Sequence, residues 1–219
     1  MIALSWSGGK DSALALEKLR LNGNEPGLLL ATVDEEREVV PHHDVPVSLL
    51  REQAQSTGLP LVEVTVPGAA SNETYEERMA RAFDGPLAGV SEVAFGDLFL
   101  EDLRAYRERR MAEIGRVASF PLWGSETRSL AEDFATRFSA TVCAIDLEQL
   151  PGFRPGSQFD EEFLRSLPPD ADPCGERGEF HTFVHDGPVF REPVSFRLDG
   201  SSTSADGRFR HSNLLPAGG

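Results

Sequence analysis

The segment IALSWSGGKDSALALEKL, residues 2 to 19, constrains this chain more than any other stretch. An apolar run (Ile2, Ala3, Leu4) breaks at Ser7-Gly8-Gly9-Lys10-Asp11-Ser12, and a second apolar-rich run (Ala13, Leu14, Ala15, Leu16, Leu19) follows with helical spacing. A strand that turns through a glycine pair into a helix builds an anion site. Glycine reaches positive φ freely and lets backbone N–H groups approach a ligand closely. The first helical turn has four N–H groups without intrahelical partners. The helix dipole adds roughly 0.3–1 kcal/mol for an exposed anion at that end, and up to about 2 kcal/mol in a partly buried site. Lys10 contributes a compact cation; Ser7 and Ser12 contribute hydroxyls. A serine before a helix is by itself an ordinary N-cap, and Gly-Gly an ordinary turn. The complete hexapeptide between strand and helix reads instead as a pyrophosphate cradle. The P-loop spacing (G-x-x-x-x-G-K-S/T) and the dinucleotide fingerprint (G-x-G-x-x-G) are both absent.

The rest of the first half alternates strands and helices. Strands are expected at Ile2 to Trp6, Leu28 to Val33, Leu61 to Val66, Glu92 to Phe95 and Val117 to Phe120. Helices are expected at Ser12 to Leu21, Val47 to Ser56, Asn72 to Phe83 (capped by Ser71) and Leu98 to Ile114. Such alternation implies an α/β fold with a doubly wound parallel sheet, its ligand crevice at the strands' C-terminal ends. The pattern changes near Gly124. A helix at Thr127 to Arg137 and a strand at Ala140 to Asp146 precede the turn-rich PGFRPGSQFD and a short helix from Asp160 to Leu167. Short strands follow at Glu179 to Val184, Val189 to Phe190 and Val194 to Leu198, the last pairing with Arg208 to Ser212 as a hairpin. This predicts a nucleotide-binding domain over 1–124 and a smaller α+β domain over 125–219.

Composition narrows the function classes. The net charge is −15, and nucleic-acid binding draws most of its affinity from Lys and Arg on phosphates. The densest basic patch (Arg104, Arg107, Arg109, Arg110) is interleaved with Glu101, Asp102 and Glu108, and reads as a solvated, salt-bridged helix face. Both arguments disfavour a nucleic-acid partner. No apolar run of membrane-spanning length occurs, and the N-terminus lacks the basic region of a signal peptide, so a cytoplasmic location is expected. Cys143 and Cys174 form no C-x-x-C, and no disulfide or zinc site is expected.

Two further clusters carry chemistry. Phe95-Gly96-Asp97 ends the fourth strand, at the edge where the hexapeptide sits. Gly96 belongs with the nucleotide-binding residues. Asp97, with Asp11, is a candidate ligand for Mg²⁺, which takes one or two carboxylates plus phosphate oxygens; a helix cap is the alternative for Asp97. The second cluster, Gly175 to Thr182 (GERGEFHT), places Glu176, Glu179 and His181 in one loop, suited to orienting or deprotonating a nucleophile. Adjacent His42 and His43 would point to opposite sides of a strand, which argues against a shared metal. His185 and His211 have no supporting cluster.

SGGKDS resembles the PP-loop of the N-type ATP pyrophosphatases. Together with His43, Gln53-Ala54, FGDLFLEDLRAYRE, FPLW at 120 to 123 and CGERGEFHTFVHDGPVF at 174 to 190, it resembles the diphthine–ammonia ligase family across essentially the whole chain. The resemblance implies an ATP- and Mg²⁺-dependent ligase. It would adenylate a small-molecule or protein-borne carboxylate, release pyrophosphate, and let ammonia displace AMP. Ser7, Gly8, Gly9, Lys10, Asp11 and Ser12 would hold ATP. Lys10, Glu176, Glu179 and His181 would carry the chemistry. The branch acting on diphthine has EGGE, then Phe or Tyr, then Glu. His181 stands here in place of that acid, a form that resembles a bacterial branch of the family, so the substrate need not be diphthine. A tRNA-modifying enzyme and a non-catalytic ATP or AMP sensor are the competing readings.

Overall fold

The computed structural model describes residues 1–68 and 70–217. The chain runs β1 (Ile2–Ser5), α1 (Lys10–Leu21), β2 (Leu28–Asp34), a small hairpin of β3 (Val39–Val40) and β4 (Val45–Pro46), α2 (Val47–Thr57), β5 (Leu61–Val66), α3 (Asn72–Asp84), β6 (Glu92–Ala94), α4 (Glu101–Glu113) and β7 (Val117–Ser119). It continues through α5 (Thr127–Arg137), β8 (Ser139–Asp146), α6 (Glu161–Ser166), β9 (Phe180–Asp186), β10 (Phe196–Thr203) and β11 (Phe209–Pro216).

β1, β2, β5, β6 and β7 form one parallel sheet in the order β5-β2-β1-β6-β7. The chain leaves β1 for β2 on one side and later returns to place β6 on the other. The strand order therefore reverses at β1, and the crevice at such a switch point lies beyond the C-terminal ends of β1 and β6. Strand parity divides the core. Ala3, Leu30 and Val93 pack with Phe83 and Met111 on one face. Leu4, Trp6 and Leu29 pack with α1 and α2 on the other. That second cluster continues through Phe134, Val142, Phe163 and Val184. The antiparallel sheet β10-β11-β8-β9 thus shares its core with the parallel sheet.

Ser71 caps α3 as expected, accepting from the Thr74 N–H at 3.2 Å. Other boundaries moved for tertiary reasons. α4 starts at Glu101 rather than Leu98, because the Leu98 N–H donates to Glu176 Oε1 and the Leu98 carbonyl accepts from the Gly124 N–H. Val189 lies in a turn, not a strand. The C-terminal hairpin is longer than expected, and its register shifts between Leu198 and Ser201. The β3–β4 hairpin was unforeseen, since two-residue strands are too short to show alternation. Glu38, His42 and Asp44 all take positive φ there.

Candidate nucleotide site

The glycine pair is held by residues distant in sequence. Gly8 has a φ of 76°, and a Cβ there would lie 2.5 Å from Gln53 Oε1. Gln53 is fully buried. Its Oε1 accepts from Trp6 Nε1, and its Nε2 donates to the carbonyls of Gly8 (2.9 Å) and Val184 (2.6 Å). The Val184 N–H also donates to the Gly8 carbonyl at 3.0 Å. α1 receives no cap from its own N-cap residue, Gly9. Instead the Lys10 N–H donates to Thr182 Oγ1 at 3.0 Å, from 172 residues away. Across the crevice a Cβ on Gly96 would sit 3.0 Å from the Asp11 backbone. Glycine at 96 thus lets the β6 loop lie against the first turn of α1. The Asp11 and Ser12 N–H groups complete that turn, and Ser12 Oγ donates to the Gly9 carbonyl at 2.8 Å.

These elements enclose a cavity of about 260 Å³, lined by Ser7, Lys10, Asp11, Asp97, Glu176 and His181 among others. A chamber of about 460 Å³ adjoins it over β2 and β5, with Thr32, Asp34, Gly68 and Tyr75 in its wall. Lys10 is 1% exposed and ion-paired with Asp11. Burial opposes its charge, but the Asp11 carboxylate outweighs that, with Glu176 adding to it. The ammonium therefore holds its proton above the ordinary lysine range. Burial, then the charges of Asp11 and Asp97, push Glu176 up to about 7, although the Leu98 N–H on its Oε1 works the other way. Glu176 is thus poised to exchange a proton near neutrality.

The other sequence-predicted residues divide. His181 lines the cavity; burial, and then His43 and His42, hold its imidazole well below the ordinary histidine range. Glu179 is 2% exposed, and both its oxygens are taken by its own loop, from the Asp172 N–H at 2.8 Å and the Arg177 N–H at 3.0 Å. Asp97 is buried beside Arg107. Arg107 Nη2 donates to Asp97 Oδ1 at 3.3 Å, while Nε lies 2.7 Å from Oδ2 at an angle outside hydrogen-bond geometry. Arg107 is therefore no member of a solvated face, as the charge pattern of its helix suggested. Among the described residues no three His, Cys, Asp or Glu are arranged as a metal site. Burial pushes the Cys174 thiol up to about 12, which leaves it inert at neutral pH.

His42 and His43 lie in a turn rather than a strand, so both reach toward His181, with ring centroids at 6.1 and 4.6 Å. His43 Nδ1 lies 3.0 Å from the Thr182 carbonyl; a carbonyl only accepts, so Nδ1 carries the proton. Burial nonetheless lowers His43 to about 4. Between pH 6.5 and 4 the unfolded chain binds a proton that the fold refuses, so this contribution to stability is lost as pH falls through that window. Glu176 acts in the opposite sense between 4.5 and about 7. The expected result is therefore a comparison at constant Glu176: the urea midpoint of His43→Gln falls less between pH 7 and 5 than that of the parent.

Gln53, Thr182, Arg107 and Ser5 were not singled out as site residues by sequence reasoning. Gln53, Arg107 and Thr182 entered within the segments that carry the family resemblance, and Ser5 only as a hydroxyl near the end of an apolar strand. Fold and loop together define the class: an α/β nucleotide-binding protein of the PP-loop type, with its anion site at the switch point of a parallel sheet. Within that class the chain belongs to the diphthamide synthase family, an ATP-using enzyme family. The diphthamide synthase N-terminal domain matches residues 1–117, and the diphthamide synthase C-terminal domain matches residues 126–204. Among curated protein sequences, none matches. Among solved structures, similarity extends to a Methanocaldococcus jannaschii protein described as a predicted subunit of tRNA methyltransferase. It is 18% identical over 88% of this chain and 99% of that one, with a TM-score of 0.43. No helix among the described residues is long and apolar enough to cross a membrane.

Proposed function

We propose that this protein is an AMP-forming ligase that adenylates a carboxylate with ATP and amidates it with ammonia. The observation that carries the reading is the meeting of Lys10 and the first turn of α1 with Glu176 and His181 in one cavity, beside a chamber large enough for a nucleoside. The loop of Ser7, Gly8 and Gly9, the N–H groups of Asp11 and Ser12, and Lys10 Nζ bind the β- and γ-phosphates. Ser12 also braces the loop through the Gly9 carbonyl, and Gly96 keeps the opposite wall close. Asp97, ion-paired with Arg107 but with no hydrogen bond at Oδ2, and Asp11, ion-paired with Lys10, offer two carboxylates that would suit Mg²⁺ completed by phosphate oxygens. When bound, Mg²⁺ supplies charge neutralisation on the leaving pyrophosphate.

Glu176 and His181 face the acceptor. Glu176, raised to about 7, is fitted to take the proton released as ammonia attacks, and neutral His181 is placed to orient the nucleophile. Glu179 acts earlier, by shaping the loop that presents them. His181, where the diphthine-acting branch has an acid, favours a bacterial-branch acceptor other than diphthine. The product nucleotide tests the reading. AMP and pyrophosphate in equal amounts are expected, and ADP would sink it.

A further inference from the structure

We propose that Arg107 grips the α-phosphate of ATP, and that Asp97 holds it in reserve until nucleotide binds. The inference rests on the reading of the two chambers above. The α-phosphate joins nucleoside to pyrophosphate, so it must lie where the nucleoside chamber meets the loop cavity. Five residues line both: Ser5, Ser7, His43, Arg107 and His181. The two serines are uncharged, and both histidines are held neutral by their surroundings. Lys10 lines only the loop cavity. Arg107 is therefore the one lysine or arginine, among the described residues, that can meet charge at the junction.

Its present contact is poor. A well-formed arginine–carboxylate pair makes two parallel bonds of about 2.7–2.9 Å. Here the Nη2–Oδ1 bond is long, at 3.3 Å, and Nε, although 2.7 Å from Oδ2, meets it at an angle outside hydrogen-bond geometry, so neither atom is hydrogen-bonded. The guanidinium lies over the Phe95 ring, 4.3 Å from its centroid, which fixes its plane while leaving its edge to the cavity. A phosphate oxygen would accept from the guanidinium edge that faces the cavity, where Asp97 leaves a donor free. In the adenylation step the acceptor carboxylate oxygen bonds to the α-phosphorus as the bond to the bridging oxygen breaks and pyrophosphate leaves with the electron pair. Arg107 donates to the non-bridging α-oxygens throughout.

Binding of AMP, adenosine and inorganic pyrophosphate, measured in EDTA, tests this without an acceptor. Arg107→Met should weaken AMP about 10- to 100-fold and weaken adenosine and pyrophosphate clearly less, because Arg107 meets each of their chambers only at the junction. Arg107→Lys should recover part of the AMP affinity, since it restores charge without the fork. Asp97→Asn should tighten AMP by releasing the arginine, an effect a merely structural Asp97 would not produce. Unchanged AMP binding in Arg107→Met, or an equal loss of adenosine, overturns the assignment to Arg107. Unchanged or weaker AMP binding in Asp97→Asn overturns the reserve role. Parent protein that binds none of the three probes overturns the nucleotide reading itself, a result distinct from the others. Thermal melts identify an unfolded methionine variant, and the lysine variant then decides: AMP affinity equal to the parent's, without the fork, overturns the assignment.

Discussion

Lys10→Met should lower pyrophosphate release from ATP by about 10²–10³-fold, the usual cost of removing one preorganised donor from a developing charge. The side chain is 1% exposed and its ammonium lies inside the loop cavity beside Asp11. Methionine keeps most of the volume and the buried stem, so the loss falls on charge. Two consequences follow from the geometry. The backbone bond from the Lys10 N–H to Thr182 survives, so α1 keeps its cap and the melting temperature should move little. Adenosine affinity should also hold, because Lys10 does not line the nucleoside chamber. Parallel assays of pyrophosphate release, adenosine binding and thermal unfolding check the three together. A variant with parent-like turnover would remove Lys10 from the phosphate site.

Glu179→Ala should be the most destabilising change in the signature loop. Its carboxylate satisfies two N–H groups from a 2% exposed position, and each buried donor left unpaired costs about 1–3 kcal/mol. A loss near 3 kcal/mol corresponds to roughly 6–12 °C in a domain of this size. The contrast is Glu176→Gln. The amide oxygen still accepts from the Leu98 N–H, so the fold should persist while turnover falls and its dependence on pH near 7 disappears. Melting curves and pH–rate profiles of the two variants separate the roles. Parent-like melting with lost turnover in Glu179→Ala would return Glu179 to the chemistry.

Much of this was legible from local pattern. The buried strands of a parallel sheet are near-continuous apolar runs, and β1 and β2 show as such, while β5, at the sheet edge, alternates Val62, Val64 and Val66 with Glu63 and Thr65. The hexapeptide carries its own geometry because glycine, helix start and cation lie within six residues. What was not legible depends on distance in sequence. Leu98 looks like the first residue of a helix, yet its carbonyl, which would accept from within that helix, is taken by the distant Gly124 N–H. Thr182 and Gln53 look like any polar residues, and only the fold brings the first to α1 and the second between Gly8 and Val184. Arg107 shares its helix with surface arginines and differs from them by facing Asp97. Glu179 and His181 alternate correctly along the chain, but alternation does not reveal that the glutamate's oxygens are already spent on its own loop.

In the proposed mechanism the loop holds ATP by its terminal pyrophosphate and leaves the α-phosphorus to react. Return of labelled pyrophosphate into ATP, measured with candidate carboxylates present and absent, tests it most directly. Exchange should require a carboxylate and collapse in Lys10→Met. Cleavage of ATP to ADP and phosphate, with no label returning to ATP under any acceptor, would contradict that mechanism.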